Sequence, residues 1–168
     1  LKSEGIWDAY PHQESINIPD EVLFSVHSTE YLNELKSACQ RGQHLDMDTY
    51  TTPASWDLAL QTAGGAVGLA CSVWQGKAAR GFALTRPPGH HATQNRGMGF
   101  CLLNNIAISA EYLLKVCGAK RITIVDLDLH HGNGTQAIFW TREDVFYIST
   151  HQSPLYPGTG RLEELSLI

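Results

Sequence analysis

RITIVDLDLHHG, residues 121–132, passes without a break from an apolar run into a cluster of carboxylates and imidazoles. Its first part, residues 121–127, is rich in β-branched side chains and nearly continuous rather than alternating. That pattern predicts a parallel strand covered on both faces. Downstream, residues 135–141 read as a short helix and residues 145–150 (VFYIST) as a second apolar strand. Upstream, Leu103, Ile106, Ala107, Ala110, Leu113, Leu114 and Cys117 fall in helical register across residues 102–117, with Gly118 just beyond. Before that helix, residues 81–85 (GFALT) form another short apolar run, read as a strand. Strand, helix, strand, helix, strand predicts an α/β layer built on a parallel sheet.

The first 50 residues are mixed and polar, with Pro11 and Pro19 as breakers. A short helix is expected over residues 29–38, with Tyr31, Leu32, Leu35 and Ala38 on one face and Gly42 as punctuation. A longer helix starts near Pro53, carries Trp56, Ala59, Leu60, Ala63, Val67, Ala70, Cys71 and Trp74 on one face, and closes at Gly76. Its opposite side, with Leu58, Ala66 and Leu69, is hardly more polar, so cover on most sides is expected. No repeat, linker or low-complexity tract interrupts the chain, and residues 1–168 read as a single domain or part of one.

Composition excludes several classes. With 168 residues, 43% apolar and 17% charged, the chain is neither disordered nor too small for a core. A net charge of −5, with no basic cluster, argues against direct nucleic-acid binding. No apolar run is long enough to cross a bilayer, and no basic-then-apolar leader opens the sequence. Cys39, Cys71, Cys101 and Cys117 show no CxxC pairing and read as free, mostly buried thiols of a reducing, cytoplasmic setting.

Four of the eight histidines sit in two adjacent pairs, His90-His91 and His130-His131, each following a predicted strand. Ligands of open parallel sheets bind beyond the carboxyl ends of the strands, so both pairs point to one crevice. Residues two apart in extended chain face the same way, which places Asp126, Asp128 and His130 along one edge and Leu127 and Leu129 on the apolar side. Two carboxylates and an imidazole at the end of an apolar strand fit a zinc ion, or manganese and iron less specifically. A hydrogen-bonded network without metal is the plain alternative. His90 and His91, on a loop after Pro87-Pro88-Gly89, have the titration range for proton transfer near neutrality. Gly99 permits close backbone approach, Phe100 could line a pocket, and Asn104-Asn105 read as helix-start residues. Read alone, residues 97–100 are equally an ordinary turn, and residues 156–160 (YPGTG) are only a rigid one. His12, His27 and His44 read as surface or satisfied core histidines.

Taken together, RPPGHHA (residues 86–92), GFCLLNN (99–105), VDLDLHHGNGTQ (125–136) and STHQSPLYPGTG (149–160) resemble the zinc-dependent histone deacetylase family. RPPGHH resembles its class II and bacterial deacetylase-like amidohydrolase branch. The resemblance runs from about residue 22 to residue 160 and implies the arginase–deacetylase α/β fold, a three-layer α/β/α arrangement around an eight-stranded parallel sheet. It implies an internal fragment, roughly half of the domain, with N- and C-terminal parts missing. Asp128 and His130 match two zinc ligands, whereas the family's third aspartate ligand and its catalytic tyrosine lie later in the family's chain, so this fragment alone is expected to be inactive.

By the same resemblance, His91 is the general base and acid, and His90 acts electrostatically, oriented by Asp126. Gly99 offers its carbonyl to the substrate amide, and Phe100 and Tyr156 form opposite tunnel walls. Potassium is implied at Asp126, Asp128, His130, Ser149 and Thr150, and at a second site on the backbone of Phe139, Arg142 and Val145. Asn133 stands where class I members have an aspartate, and should raise the pKa of His91 less than a carboxylate would. Tyr156 stands where phenylalanine is common. The implied substrate is an acetylated lysine peptide or another acetylated amine, with no membrane partner; a homo-oligomer is compatible. Two other readings stand beside this one: a manganese ureohydrolase of the same fold, which favours a carboxylate-rich two-metal site, and a non-catalytic acyl-lysine-binding or scaffold domain.

Overall fold

A computed structural model describes residues 2–5 and 7–165. Five helices and two strands follow one another as α1 (Asp20–Val26), α2 (Thr29–Arg41), α3 (Ser55–Trp74), α4 (Asn105–Lys115), β1 (Ile122–Asp126), α5 (Asn133–Phe139) and β2 (Val145–Ser149). Helix ends follow their local chemistry. The hydroxyl of Ser28 accepts from the Tyr31 amide to open α2, and Gly42, at φ 64°, closes it in the left-handed region that glycine tolerates. Asn104 opens α4 by accepting from the Ala107 amide, as its helix-start reading required.

The core gathers Val22 and Val26 of α1, Leu35 of α2, Ala59, Ala63 and Val67 of α3, and Ala107 and Ile108 of α4, with Ile124, Phe139 and Val145 from the β1–α5–β2 unit. α3 packs chiefly on α4, and α1 joins them. Gly64 and Gly68 share one face of α3 because they are four apart. A Cβ at either would press on the Ile16 or Glu14 carbonyl, so the segment before α1 lies directly on that face. Cover is less than expected on both sides of α3: Leu58 of the opposite side and Trp74 of the face expected to be buried are each about half exposed.

β1 and β2 pair in parallel, with Ile122 opposite Val145 and Asp126 opposite Ser149. The expected third strand is absent among the described residues. Residues 81–85 form no regular element and pair with no strand, and Phe82 is 82% exposed. An apolar run becomes a strand only where another edge completes its hydrogen bonds, and none lies beside this one. The expectation of cover on both sheet faces also fails: within β1 only Ile124 is buried, while Val125, Phe146 and Ile148 are exposed. No helix among the described residues is long and apolar enough to cross a membrane.

Arg142 ties the helical layer to the sheet. It forms two bonds of 2.8 Å to the Asp144 carboxylate and a third of 2.6 Å to Glu111, which is fully buried on α4. Hydrogen bonds to Asp144 are the main reason its guanidinium pKa lies above the usual range.

Candidate active site

The loop of residues 86–92 is fixed from several directions. Thr62 of α3 donates to the Arg86 carbonyl at 2.6 Å, and Asn105 of α4 donates to the Pro87 carbonyl at 3.1 Å. The amides of Gly134 and Thr135, at the start of α5, both donate to the His90 carbonyl. Asn104, fully buried, donates to the Ala92 carbonyl at 3.0 Å. His27, also fully buried, completes the support: its Nδ1–H donates to the Thr93 carbonyl and its Nε2 accepts from the Asn104 amide. Reading His27 as a satisfied core residue is right in kind, and its bonds show what it satisfies.

These supports orient both imidazoles. His90 Nδ1 lies 3.0 Å from Asp126 Oδ2, and His91 Nδ1 lies 2.8 Å from Asn133 Oδ1. A carboxylate and an amide oxygen can only accept, so each Nδ1 carries a proton, and in the neutral ring Nε2 keeps its lone pair. Burial pushes the His91 pKa below the usual histidine range; the bond to Asn133 opposes this only in part. Burial alone would push the Asp126 carboxyl up, but the bonds from His90, the Asp128 amide and the Tyr147 hydroxyl outweigh it and bring the carboxyl below its usual range.

Facing this loop, the chain leaves β1 through two successive carboxylate-capped turns. Asp126 Oδ1 accepts from the Asp128 amide at 3.1 Å, and Asp128 Oδ1 accepts from the His130 amide at 2.8 Å. The spacing of Asp126, Asp128 and His130 is therefore set by turns, not by the extended chain that the sequence suggested. Leu127 and Leu129 do not face an apolar side: Leu127 is 76% exposed. Asp126 belongs to the hydrogen-bonded network, whereas Asp128 and His130 are open. Asp128 Oδ1 lies 3.2 Å from His130 Nδ1 and 3.9 Å from His90 Nε2.

A tetrahedral zinc ion with nitrogen and oxygen ligands at about 2.0–2.2 Å keeps those ligands roughly 3.4 Å apart. The Asp128–His130 pair, hydrogen-bonded to each other at 3.2 Å, lies near that spacing, and its donor set suits the ion. Two ligands do not make a site: no group of three or more histidine, cysteine, aspartate or glutamate residues that could hold a metal occurs among the described residues.

The remaining predicted site residues gather nearby. Gly99 and Phe100 occupy a tight turn closed by the Met98–Cys101 bridge, both with positive φ, at 56° and 67°. Two-residue turns of this hand suit a right-twisted hairpin, but a phenylalanine there is strained. The Phe100 amide donates to Thr49 Oγ1 at 3.0 Å, and the ring is 60% exposed. A Cβ on Gly99 would strike the His91 and Tyr156 rings, so glycine is what lets this turn sit against the histidine. The Tyr156 ring stands edge-on to His91 with centroids 5.1 Å apart. A cleft of about 530 Å³ opens beside Phe100, lined by Thr49, Leu58, Pro87 and Pro88 among others, with no histidine in its wall. Ser149 and Thr150 lie at the end of β2, where the Thr150 amide donates to the Asp126 carbonyl. Phe139, Arg142 and Val145 lie between α5 and β2, and the Phe139 carbonyl accepts from the Arg142 amide.

Several contributors carry no sequence signal of their own. The Tyr147 hydroxyl, 2.9 Å from Asp126 Oδ2, comes from the partner strand and is visible only once β1 and β2 are registered. Gly132 leaves space where a Cβ would meet Asp126, Tyr147 and His90 together. His131, fully buried, does not face the crevice. It packs on His151 with centroids 4.7 Å apart and bonds to Thr159 and Gln136. His151 donates from Nε2 to the Gly160 carbonyl and accepts from Ser149.

Known proteins resemble this chain over nearly all of its length. The histone deacetylase domain matches residues 1–166. A probable deacetylase of Archaeoglobus fulgidus is 44% identical over 98% of this chain and 46% of its own length. The histone deacetylase-like amidohydrolase of Pseudomonas aeruginosa is 40% identical over 82% of this chain and 37% of its own. The chain thus spans less than half the length of these relatives. A crystal structure of the HDA15 HD domain superimposes with a TM-score of 0.85 at 40% identity, over 90% of this chain and 45% of that one. The fold is therefore the arginase–deacetylase fold, present here in part, and the chain belongs to the histone deacetylase family.

Proposed function

We propose that this sequence carries the acid–base half, and part of the metal-binding half, of a zinc-dependent amidohydrolase that removes acetyl or other acyl groups from lysine side chains or a related amine. The observation that carries the proposal is the pairing of two Nδ1-protonated imidazoles with an open Asp128–His130 pair of zinc-ligand spacing. Asp128 and His130 would hold the zinc, with a third ligand outside these residues by the family pattern. Bound there, zinc polarises the acyl carbonyl and acidifies a water molecule.

The chain's own residues do the rest. His91 Nε2, free and kept neutral by burial, accepts a proton from water and returns it to the departing amine. His90, its Nδ1–H engaged by Asp126, presents a fixed dipole beside it. The Gly99 carbonyl accepts the substrate N–H, and Phe100 and Tyr156 flank the methylenes. By the family resemblance, potassium would be held at Asp126, Asp128, His130, Ser149 and Thr150, with a second position on the backbone of Phe139, Arg142 and Val145. A cytoplasmic setting is part of this proposal and rests on the family resemblance and the unpaired cysteine spacing of the sequence. Without the third ligand and the family's tyrosine, the 168 residues alone would not turn over.

The test is acetate release from an acetyl-lysine peptide by the full-length protein, with and without a chelator. We expect release to stop with chelator and return with zinc, and Asp128→Asn to lose metal and turnover together. Full turnover by Asp128→Asn overturns the assignment. A zinc-loaded protein inert toward the peptide moves the substrate to acetylpolyamines or other acyl amides. A protein that neither binds zinc nor releases acetate favours a non-catalytic acyl-lysine-binding or scaffold role.

A further inference from the structure

The sequence shows Cys71 and Cys117 as isolated cysteines, but the fold brings their sulfurs to 3.6 Å. Cys71 lies in the last turn of α3, and Cys117 lies two residues beyond the end of α4. Both are half-buried, whereas Cys39 and Cys101 are buried. The backbone around Cys117 is well fixed. Its amide donates to the Tyr112 carbonyl at 3.3 Å, its carbonyl accepts from the Trp74 indole at 3.2 Å, and Gly118 follows in the left-handed region at φ 79°. A disulfide needs the sulfurs to close to about 2.05 Å, a small side-chain movement from this contact.

We infer that Cys71 and Cys117 form a reversible dithiol–disulfide pair that fastens the end of α3 to the end of α4 under oxidation by a peroxide. The step balances as two thiols and one hydrogen peroxide giving one disulfide and two waters. One sulfur attacks a peroxide oxygen, breaking the O–O bond and becoming a sulfenic acid with release of water. The second sulfur then displaces the sulfenic oxygen, which leaves as the second water. Each sulfur loses one electron, and the peroxide takes up both. Burial, and then the adjoining Cys117 thiol, push the Cys71 thiol up to about 11, so near neutral pH the reaction is slow and sustained oxidant is required.

The position of the bridge defines what it can affect. α3 and α4 meet the histidine loop near their N-terminal halves, through Thr62 and Asn105. The thiols lie at the opposite ends, beyond about 15 Å of helix. The bond would therefore stiffen the support of the loop without entering the crevice, and would close a loop between positions 46 apart. Oxidation should raise the melting temperature by several degrees and leave hydrolysis intact.

Trypsin places each cysteine on its own peptide: Cys39 in residues 37–41, Cys71 in 42–77, Cys101 in 97–115 and Cys117 in 116–120. The full-length protein is treated with hydrogen peroxide, alkylated under denaturing conditions and digested without reductant. The expected product is peptide 42–77 joined to peptide 116–120, lost on dithiothreitol treatment and absent from both Cys71→Ser and Cys117→Ser. The melting temperatures of oxidised and reduced wild type, compared directly, do not depend on how well the serine variants fold. Recovery of both peptides unlinked overturns the inference, as does a link from either cysteine to Cys39 or Cys101, or an oxidised form that melts with the reduced one.

Discussion

The loop of residues 86–92 and the turn of residues 126–130 face each other across the same crevice, but they are built on opposite terms. Residues of α3, α4 and α5, with Asn104 just before α4, bind the loop's backbone, and its rings are locked by Asp126 and Asn133. The turn carries its own short bonds from Asp126 and Asp128, and Asp128 remains half exposed. On the proposed reading, proton transfer draws on the Nδ1–H bonds of His90 and His91, which these residues supply by themselves. On the same reading, metal binding draws on Asp128 and His130, which hydrogen-bond to each other within their own turn and whose side chains stay partly exposed. The difference separates what folding of these residues completes from what it leaves open.

That separation breaks first at His91. His91→Ala in the full-length protein should lower kcat by about 10²–10⁴-fold, the usual contribution of a positioned acid–base group, while zinc content stays at the wild-type level. Activity and zinc, measured on the same sample, check it. Loss of zinc along with activity would show that loop and turn are one unit.

The loop's support gives the next largest effect. Burial lowers the pKa of His27 from 6.5 to about 4, and its Nε2 must stay unprotonated to accept the Asn104 amide. In the unfolded chain the same ring takes up a proton as pH falls below about 6.5, so the unfolded state binds more protons across this window. The stabilisation is therefore fully present above about pH 6.5 and is lost as pH falls toward 4, by up to about 3 kcal/mol. Urea unfolding of wild type and His27→Gln at pH 7 and pH 4.5 checks it. Wild type should lose more stability than the variant on acidification. Equal losses would mean that His27 is not what makes the support acid-sensitive.

This contrast also marks what could be read from the sequence. Helices α2 and α4 were legible because local chemistry sets their ends, with Ser28, Gly42 and Asn104 acting within a turn of their own residues. By contrast, α1 opens after Pro19 with no side-chain cap and was not read from the sequence. The histidine pairs were legible because two adjacent pairs beyond apolar runs are unusual. Residues 81–85 misled because strand pairing is non-local, and an apolar run is equally apolar with or without a neighbour. The placement of Leu127 and Leu129 failed for a related reason: alternation assumes extended chain, and the carboxylates of Asp126 and Asp128 capture backbone amides and bend it. Tyr147, His27 and the Cys71–Cys117 contact depend on packing between segments far apart in sequence, which periodicity does not encode.

The smallest effect isolates the proton-transfer half most cleanly. His91 meets a neutral amide where a carboxylate could stand, and Asn133 Oδ1 at 2.8 Å fixes the tautomer without adding charge. Replacing it in Asn133→Asp keeps an acceptor in place and adds a negative charge that favours the imidazolium, so the His91 pKa should rise by about one unit or more. Because the proposed reaction needs His91 unprotonated at its start, the acidic limb of the kcat/KM profile should move to higher pH by the same amount. The alkaline limb should stay where it is. Near the optimum the rate should change by no more than a few-fold, since geometry and metal ligands are untouched. An acidic limb that does not move in a correctly folded, zinc-loaded variant would mean that His91 is not the group titrating there, and the base would have to be sought at His90.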